Sequence, residues 1–329
     1  MNLVISIIIG LAIFIFFIYR TGPGAIKLIT ENINWIYFAI FIVTAILSHV
    51  LAVFRWSSVL KGYKKKVPFF SLFKQTMAGY AISYVTPVAR AGGEPIRAYM
   101  LKRESGINIR TGIASIIIDK FIEFVGGIGF GVLGILLLIY FPGIPISIKL
   151  ILTAIVALGL MILSVFYYRT ITKIHSVSSI FDLFKIQKIV RLKKFIKMIR
   201  EVEIKMNKFF VKNKKQFWIS NIIEIGYLII IVIESKLIFL SFGLDIPLAI
   251  IIIALNIHGL ATFIPVPASL GFFEAGEAGF FKLIGRTGAV GIAYSLLMRL
   301  RDILFVSIGF ASIAHFSGNQ IKNALNKKK

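Results

Sequence analysis

Long apolar runs alternate with short basic stretches along this chain. Segments 2–20, 35–60, 110–140, 146–168, 217–242 and 288–316 each read as a bilayer-spanning helix. Such a helix takes about 20 apolar residues, because the hydrocarbon core is roughly 30 Å thick and each residue rises about 1.5 Å. Two further apolar regions, 67–105 and 245–284, are long enough to span but are broken midway. The first break reads Pro87-Val88-Ala89-Arg90-Ala91-Gly92-Gly93-Glu94-Pro95, the second Pro265-Val266-Pro267-Ala268-Ser269-Leu270-Gly271. Proline removes a backbone donor and glycine favours turns, so each region is expected to form two short helices joined by an irregular link. At membrane depth such a link survives only when protein covers it or when it lines a wet cavity.

Composition agrees with lipid as the main solvent. Hydrophobic residues make up 58% of 329 and the mean hydropathy is +0.89, above what a polar-surfaced domain carries. The net charge of +24 would suggest nucleic acid in a soluble chain. Here the Lys and Arg residues gather between apolar runs, the mark of membrane orientation, so no nucleic-acid partner is expected. There is no cysteine for a disulfide, thiolate nucleophile or zinc site, and His49, His175, His258 and His315 are far apart, so no metal or other cofactor is expected. The first run lacks a basic leader and a small-residue cleavage site, and reads as an uncleaved span.

Basic residues near span ends accumulate in the cytoplasm, and this fixes a topology. With the N-terminus inside, the cytoplasmic loops hold Lys61 and Lys64 to Lys66, the Arg97 to Arg110 stretch, fourteen basic residues between Arg169 and Lys215, and the Lys322 to Lys329 tail. Only Arg20, Lys27, Lys149, Lys282 and Arg286 then face outward. This balance requires both broken regions to be re-entrant. The expectation is an all-α polytopic membrane protein, one membrane domain over 1–329 with about six full spans and two re-entrant helical hairpins, lying in the cell membrane with both termini cytoplasmic.

That order exposes an inverted repeat: span, broken hairpin, span over 35–140, and again over 217–316, with a basic amphipathic cytoplasmic region at 169–216 between them. Pro87 precedes Gly93 by six residues and Pro265 precedes Gly271 by six, with Glu94 and Glu274 close behind. Inverted repeats with broken helices meeting near the midplane are a recurrent transporter design. A charge within a span costs about 2.5 to 3.5 kcal/mol on insertion scales, so each such charge needs a partner or a wet cavity. The set here is Arg55, Arg90, Glu94, Asp119, Lys120, Glu123, Glu224, Glu234, Lys236, Glu274, Glu277, Arg299, Arg301 and Asp302. Taken singly these are structural ion pairs as readily as functional groups; as a set they read as the lining of one polar cavity. Asp119 with Glu123, and Glu274 with Glu277, share helix faces.

Other signals are discounted. Gly129 to Gly134 matches GxGxxG but lies inside an apolar span, where it reads as helix packing, with Gly127 and Gly131 as the small face. His258 reads as a hydrogen-bonded bundle histidine in preference to a proton relay. Between Phe181 and Phe210, apolar positions such as Ile189, Leu192, Ile196, Ile199, Met206 and Phe210 recur at helical spacing among lysines. That pattern fits an amphipathic helix on the anionic inner leaflet, or a cytoplasmic helical hairpin.

At the hairpins the sequence resembles the flippase-like transmembrane domain of lysylphosphatidylglycerol synthases, a family with many stand-alone archaeal and bacterial members. The likeness runs from about Trp35 to Phe316 and is carried by PVARAGGEPIR at Pro87 to Arg97, Asp119-Lys120, PVPASLGFFE at Pro265 to Glu274, and Arg299. It implies a domain that translocates or accommodates lipids, with Arg90, Gly93, Glu94, Arg97, Asp119, Lys120, Pro265, Gly271, Glu274 and Arg299 as substrate-binding residues. The implied partners are membrane lipids, an anionic phospholipid or a polyprenyl phosphate, with homo-oligomerisation left open. Two departures stand out. Only a lysine-rich tail follows Phe316, so a soluble lysyltransferase domain is not expected, and Asp119-Lys120 stands where relatives often carry Glu-Arg. The leading expectation is flipping of an anionic lipid, with Arg90, Arg97 and Arg299 gripping phosphate. The alternatives are a membrane-embedded transferase with Glu94 or Glu274 as base, and a scaffold for a separate soluble enzyme.

Overall fold

The computed structural model describes residues 3–87, 92–141, 144–172 and 190–326, and among these every regular element is helical. In chain order the helices are α1 (Leu3–Asn32), α2 (Trp35–Gly62), α3 (Phe69–Val85), α4 (Glu94–Ser105), α5 (Ile109–Ile139), α6 (Ile146–Ile171), α7 (Val190–Lys212), α8 (Lys214–Ser241), α9 (Leu248–Ala261), α10 (Phe272–Leu283) and α11 (Gly288–Asn326). A 3-10 turn at Pro267–Ser269 lies between α9 and α10. The protein is an all-α polytopic membrane protein.

Local chemistry sets the helix ends. Asn34 caps α2, its side chain accepting from the N–H groups of Ile36 (3.1 Å) and Tyr37 (3.3 Å). The Asn34 N–H donates to the Ser241 carbonyl at 2.7 Å, which ties the start of α2 to the end of α8. Asn108 caps α5 in the same way, on Arg110 N at 2.9 Å. Both proline-glycine breaks interrupt the helix as expected, one between α3 and α4 and the other between α9 and α10.

Two ends run past their expected bounds. The first span was expected over 2–20, yet α1 continues to Asn32 through Pro23, because this stretch packs on α10 and α11 and buries Ala25 completely. The last helix likewise runs ten residues past 316. The helices long and apolar enough to cross a membrane by composition alone are Leu11–Asn32, α2, α5 and α6. Helices α8 and α11, of 28 and 39 residues, are also long enough, but they carry Glu224, Glu234, Arg299, Arg301 and Asp302, which the fold buries.

Packing follows a paired scheme. Helix α2 lies along α8. Helix α3 packs on α11 as α9 packs on α5, and α4 packs on α5 as α10 packs on α11. The main apolar core includes Phe41, Phe239, Phe242, Phe273, Phe281 and Tyr294. A second core joins α2 and α5 to α7 through Val59, Ile118, Phe121, Val202, Met206 and Phe209. Of the amphipathic region expected here, the apolar stripe of α7 packs on α5, α6 and α8, with Phe209 fully buried. The Phe181 to Ile189 part of that expectation falls outside the described residues. No residue of α6 is buried, and its Ile151, Ile155, Leu158, Met161, Ile162 and Val165 side chains form an outward apolar surface suited to lipid. The small face of α5 is also displaced from the expected pair: Gly131 and Gly134 meet Asn256 of α9, while nothing approaches Gly127.

Candidate functional site

A cavity of about 120 Å³ opens among α2, α3, α4 and α5, with Tyr227 of α8 and Arg301 of α11 completing its wall. The first link makes this possible. A Cβ on Gly93 would run into the Gly79 carbonyl, so α4 starts in backbone contact with α3, and the Gly93 N–H donates to Ser83 Oγ at 2.9 Å. The missing side chain of Gly79 leaves room for the Arg97 stem, since a Cβ there would lie 2.6 Å from Arg97 Cγ and Cδ. Arg97 is thereby set with its guanidinium 4.1 Å from the Trp56 ring centroid.

Asp119, 1% exposed, is the hub of the first charge network. It accepts from Arg55 Nε at 2.8 Å and from Arg97 Nη2 at 2.9 Å. Arg55 also reaches Glu123 at 3.1 Å and pairs with Glu224 of α8. Lys120 pairs with Glu123 at 3.0 Å and lies 3.6 Å from Glu94. Buried ions hold their place only when each has opposite charges within reach, and every one of these does. Some capacity is left over. Both Glu94 oxygens and Arg97 Nε are buried without a hydrogen-bond partner, and both residues line the cavity.

A second network holds the second link. Arg299 grips Glu274 with two donors, Nε to Oε1 at 2.8 Å and Nη2 to Oε2 at 3.2 Å. Its Nη1 donates to Tyr84 Oη at 3.0 Å and to the Ala268 carbonyl, and Nη2 reaches the Ser269 carbonyl at 3.4 Å. Those carbonyls belong to two consecutive left-handed residues, Ala268 (φ 56) and Ser269 (φ 51). That conformation costs a side-chain-bearing residue roughly 1–2 kcal/mol, so Arg299 and Glu274 hold a strained turn. Glu274 also accepts the Gly271 N–H at 2.8 Å, at a φ of 78 that suits glycine. Two residues on, Arg301 pairs with Glu234 and, at 2.7 Å, with Asp302, which accepts from Tyr80 Oη at 2.8 Å.

The residues singled out in the sequence therefore fall into two groups. Glu94, Arg97, Asp119 and Lys120 line the cavity, with Gly93 fixing its edge. Pro265, Gly271, Glu274 and Arg299 build the second link and stand outside the lining, beyond Tyr84, which touches both. Arg90 lies outside the described residues. Glu274 and Arg299 stand one hydrogen bond from this cavity, through Tyr84, and Arg301, Glu123 and Arg55 of the same charge set line it. Ser48, Ser83, Tyr80, Tyr84 and Tyr227 also line it. Nothing in the sequence separates these from other hydroxyls in apolar helices. Among the described residues no three His, Asp or Glu side chains gather to hold a metal.

Comparison with known proteins agrees with this architecture. The profile of the lysylphosphatidylglycerol synthase TM region matches residues 3–309. A UPF0104 membrane protein of Methanothermobacter thermautotrophicus is 27% identical, covering 98% of this chain and 98% of its own. A second from that organism is 24% identical, over 95% of this chain and 93% of its own. One from Pyrococcus horikoshii is 22% identical, over 79% of this chain and 82% of its own. No solved structure matches significantly.

Proposed function

Because the chain belongs to the lysylphosphatidylglycerol synthase transmembrane-region family, we propose that it holds the head group of an anionic membrane lipid in the cavity among α2, α3, α4 and α5, and passes that lipid between leaflets. The observation that carries this reading is the pair of unsatisfied groups facing the same space, Arg97 Nε as donor and Glu94 as acceptor. A phosphodiester that also bears a hydroxyl, as phosphatidylglycerol does, meets both: phosphate oxygen on the guanidinium, hydroxyl on the carboxylate. A polyprenyl phosphate offers the first contact alone. The lining sets four cations, Arg55, Arg97, Lys120 and Arg301, against three carboxylates, Glu94, Asp119 and Glu123, so an anionic head group enters by exchanging partners in an existing network.

The paired packing supports reading 35–140 and 217–316 as inverted repeats, and the distribution of Lys and Arg supports placing both termini in the cytoplasm. The matching positions carry swapped charges. In the first half α4 joins α5 through Arg97 and Asp119, and in the second α10 joins α11 through Glu274 and Arg299. The α2–α5 pair Arg55–Asp119 likewise answers the α8–α11 pair Glu234–Arg301.

The test is translocation of labelled phosphatidylglycerol by the full chain in vesicles. Arg97→Gln should slow it about tenfold or more, given the ~1.5–3 kcal/mol of a hydrogen bond to a charged group, while Asp119 keeps Arg55 and the fold persists. Arg97→Lys should rescue little, lacking the planar fork. Parental rates in both variants would remove the cavity from the transport path.

A further inference from the structure

Glu277, midway along α10, is a carboxyl group to which neither charge network gives a partner. No part of it reaches the surface, and both side-chain oxygens lack a hydrogen-bond partner. Among the described residues it enters no ion pair, and the charge that bears on it, Glu274 one turn earlier, has the same sign and is held by Arg299. The helix facing it approaches as closely as backbones can: a Cβ on Gly291 of α11 would run into the Glu277 carbonyl and the Ala278 nitrogen.

Among the described residues, the titratable groups on neighbouring elements form no ion pair or hydrogen bond with Glu277. On α11, Tyr294 is fully buried with its hydroxyl 3.0 Å from Ser235, while Arg299 and Arg301 are committed to Glu274, Glu234 and Asp302. On α9, His258 sets its ring edge-on to Phe273 at 4.2 Å between centroids. On α1, Tyr19 and Arg20 are exposed and Lys27 pairs with Glu31 in the open. An ionised carboxylate enclosed this way bears the cost of burial with no cation paired to it among the described residues, whereas the neutral acid bears far less.

We propose that Glu277 is a proton-binding site: it carries a proton while α10 and α11 are packed together, and gives it up to water when they part. On uptake, one proton from water forms an O–H bond on one carboxyl oxygen; parting breaks that bond and returns the proton to whichever side is open. No electron is transferred. The latch between Glu274 and Arg299 lies one turn from this carboxyl on the same two helices, so a rearrangement that frees the second link also uncovers Glu277. Resting on the translocation reading above, this couples lipid movement to a proton gradient.

Infrared spectroscopy of the purified full chain tests the site without any transport. A protonated-carboxyl stretching band is expected at neutral pH, absent from Glu277→Gln, which is isosteric with the neutral acid, and displaced in Glu277→Asp. An unchanged band in Glu277→Gln overturns the proposal. In vesicles, an imposed pH gradient should accelerate phosphatidylglycerol translocation severalfold in the parent and in Glu277→Asp, and leave Glu277→Gln unaffected. Equal gradient responses in parent and Glu277→Gln overturn the coupling. If the parent moves no lipid, the translocation reading fails, while the infrared band still decides whether Glu277 holds a proton.

Discussion

Arg97 and Arg299 each supply the cation of an ion pair that joins a short link helix to the long helix after it, yet their surroundings assign them different work. Arg97 keeps Nε free of partners beside a cavity, whereas Arg299 uses Nε, Nη1 and Nη2 on Glu274, Tyr84 and the link carbonyls. Arg299→Gln should therefore destabilise the fold, by about 3–5 kcal/mol, because Glu274 stays buried without its cation. Melting in detergent reads this directly, and the double variant with Glu274→Gln should recover part of the loss. If Arg299→Gln melts like the parent, the latch contributes nothing. Ala268→Gly should raise the melting point slightly, since glycine takes a φ of 56 without strain. The sequence disclosed that Arg55, Asp119, Glu274 and Arg299 needed partners, because charge in an apolar run always does. It did not disclose which partner each would take, since that depends on how helices far apart in sequence cross: Arg55 meets Glu224 across 169 residues.

At the level of helices, the broken hairpins were legible because proline and glycine act locally: α3 ends at Val85 and α4 starts at Glu94 around the first break, and α9 ends at Ala261 and α10 starts at Phe272 around the second. Helix α7 was legible only in part. Its 3.6-residue periodicity marks a stripe but does not say whether lipid or protein covers it, and here Val202, Met206, Phe209 and Phe210 pack on α2 and α5. Phe209→Ala should thus lower stability by about 3–5 kcal/mol, as a buried aromatic does, whereas Lys208→Gln on the exposed face should leave melting unchanged. Equal and small effects would mean that α7 is not part of the core. Gly62 adds to this contact, since a side chain there would strike the Phe209 ring at 2.5 Å.

For the molecule as a whole, the expected topology can be read out in a chain that has no cysteine of its own. A single cysteine replacing Arg286 should react with an impermeant reagent from outside, and one replacing Lys194 only after permeabilisation; labelling of both from the same side would sink the re-entrant arrangement. The swapped ion pairs carry a different implication, about how the halves recognise one another. Along the α2–α8 seam Arg55 faces Glu224, while Glu234 answers from the other end toward Ser48. Two copies of the first half laid against each other would set Arg55 where no carboxylate of α8 awaits it. The seam thus works as an address, readable only by the unlike half. Severed between α6 and α7 and expressed as two pieces, the chain should rejoin as a mixed pair and never as two like ones.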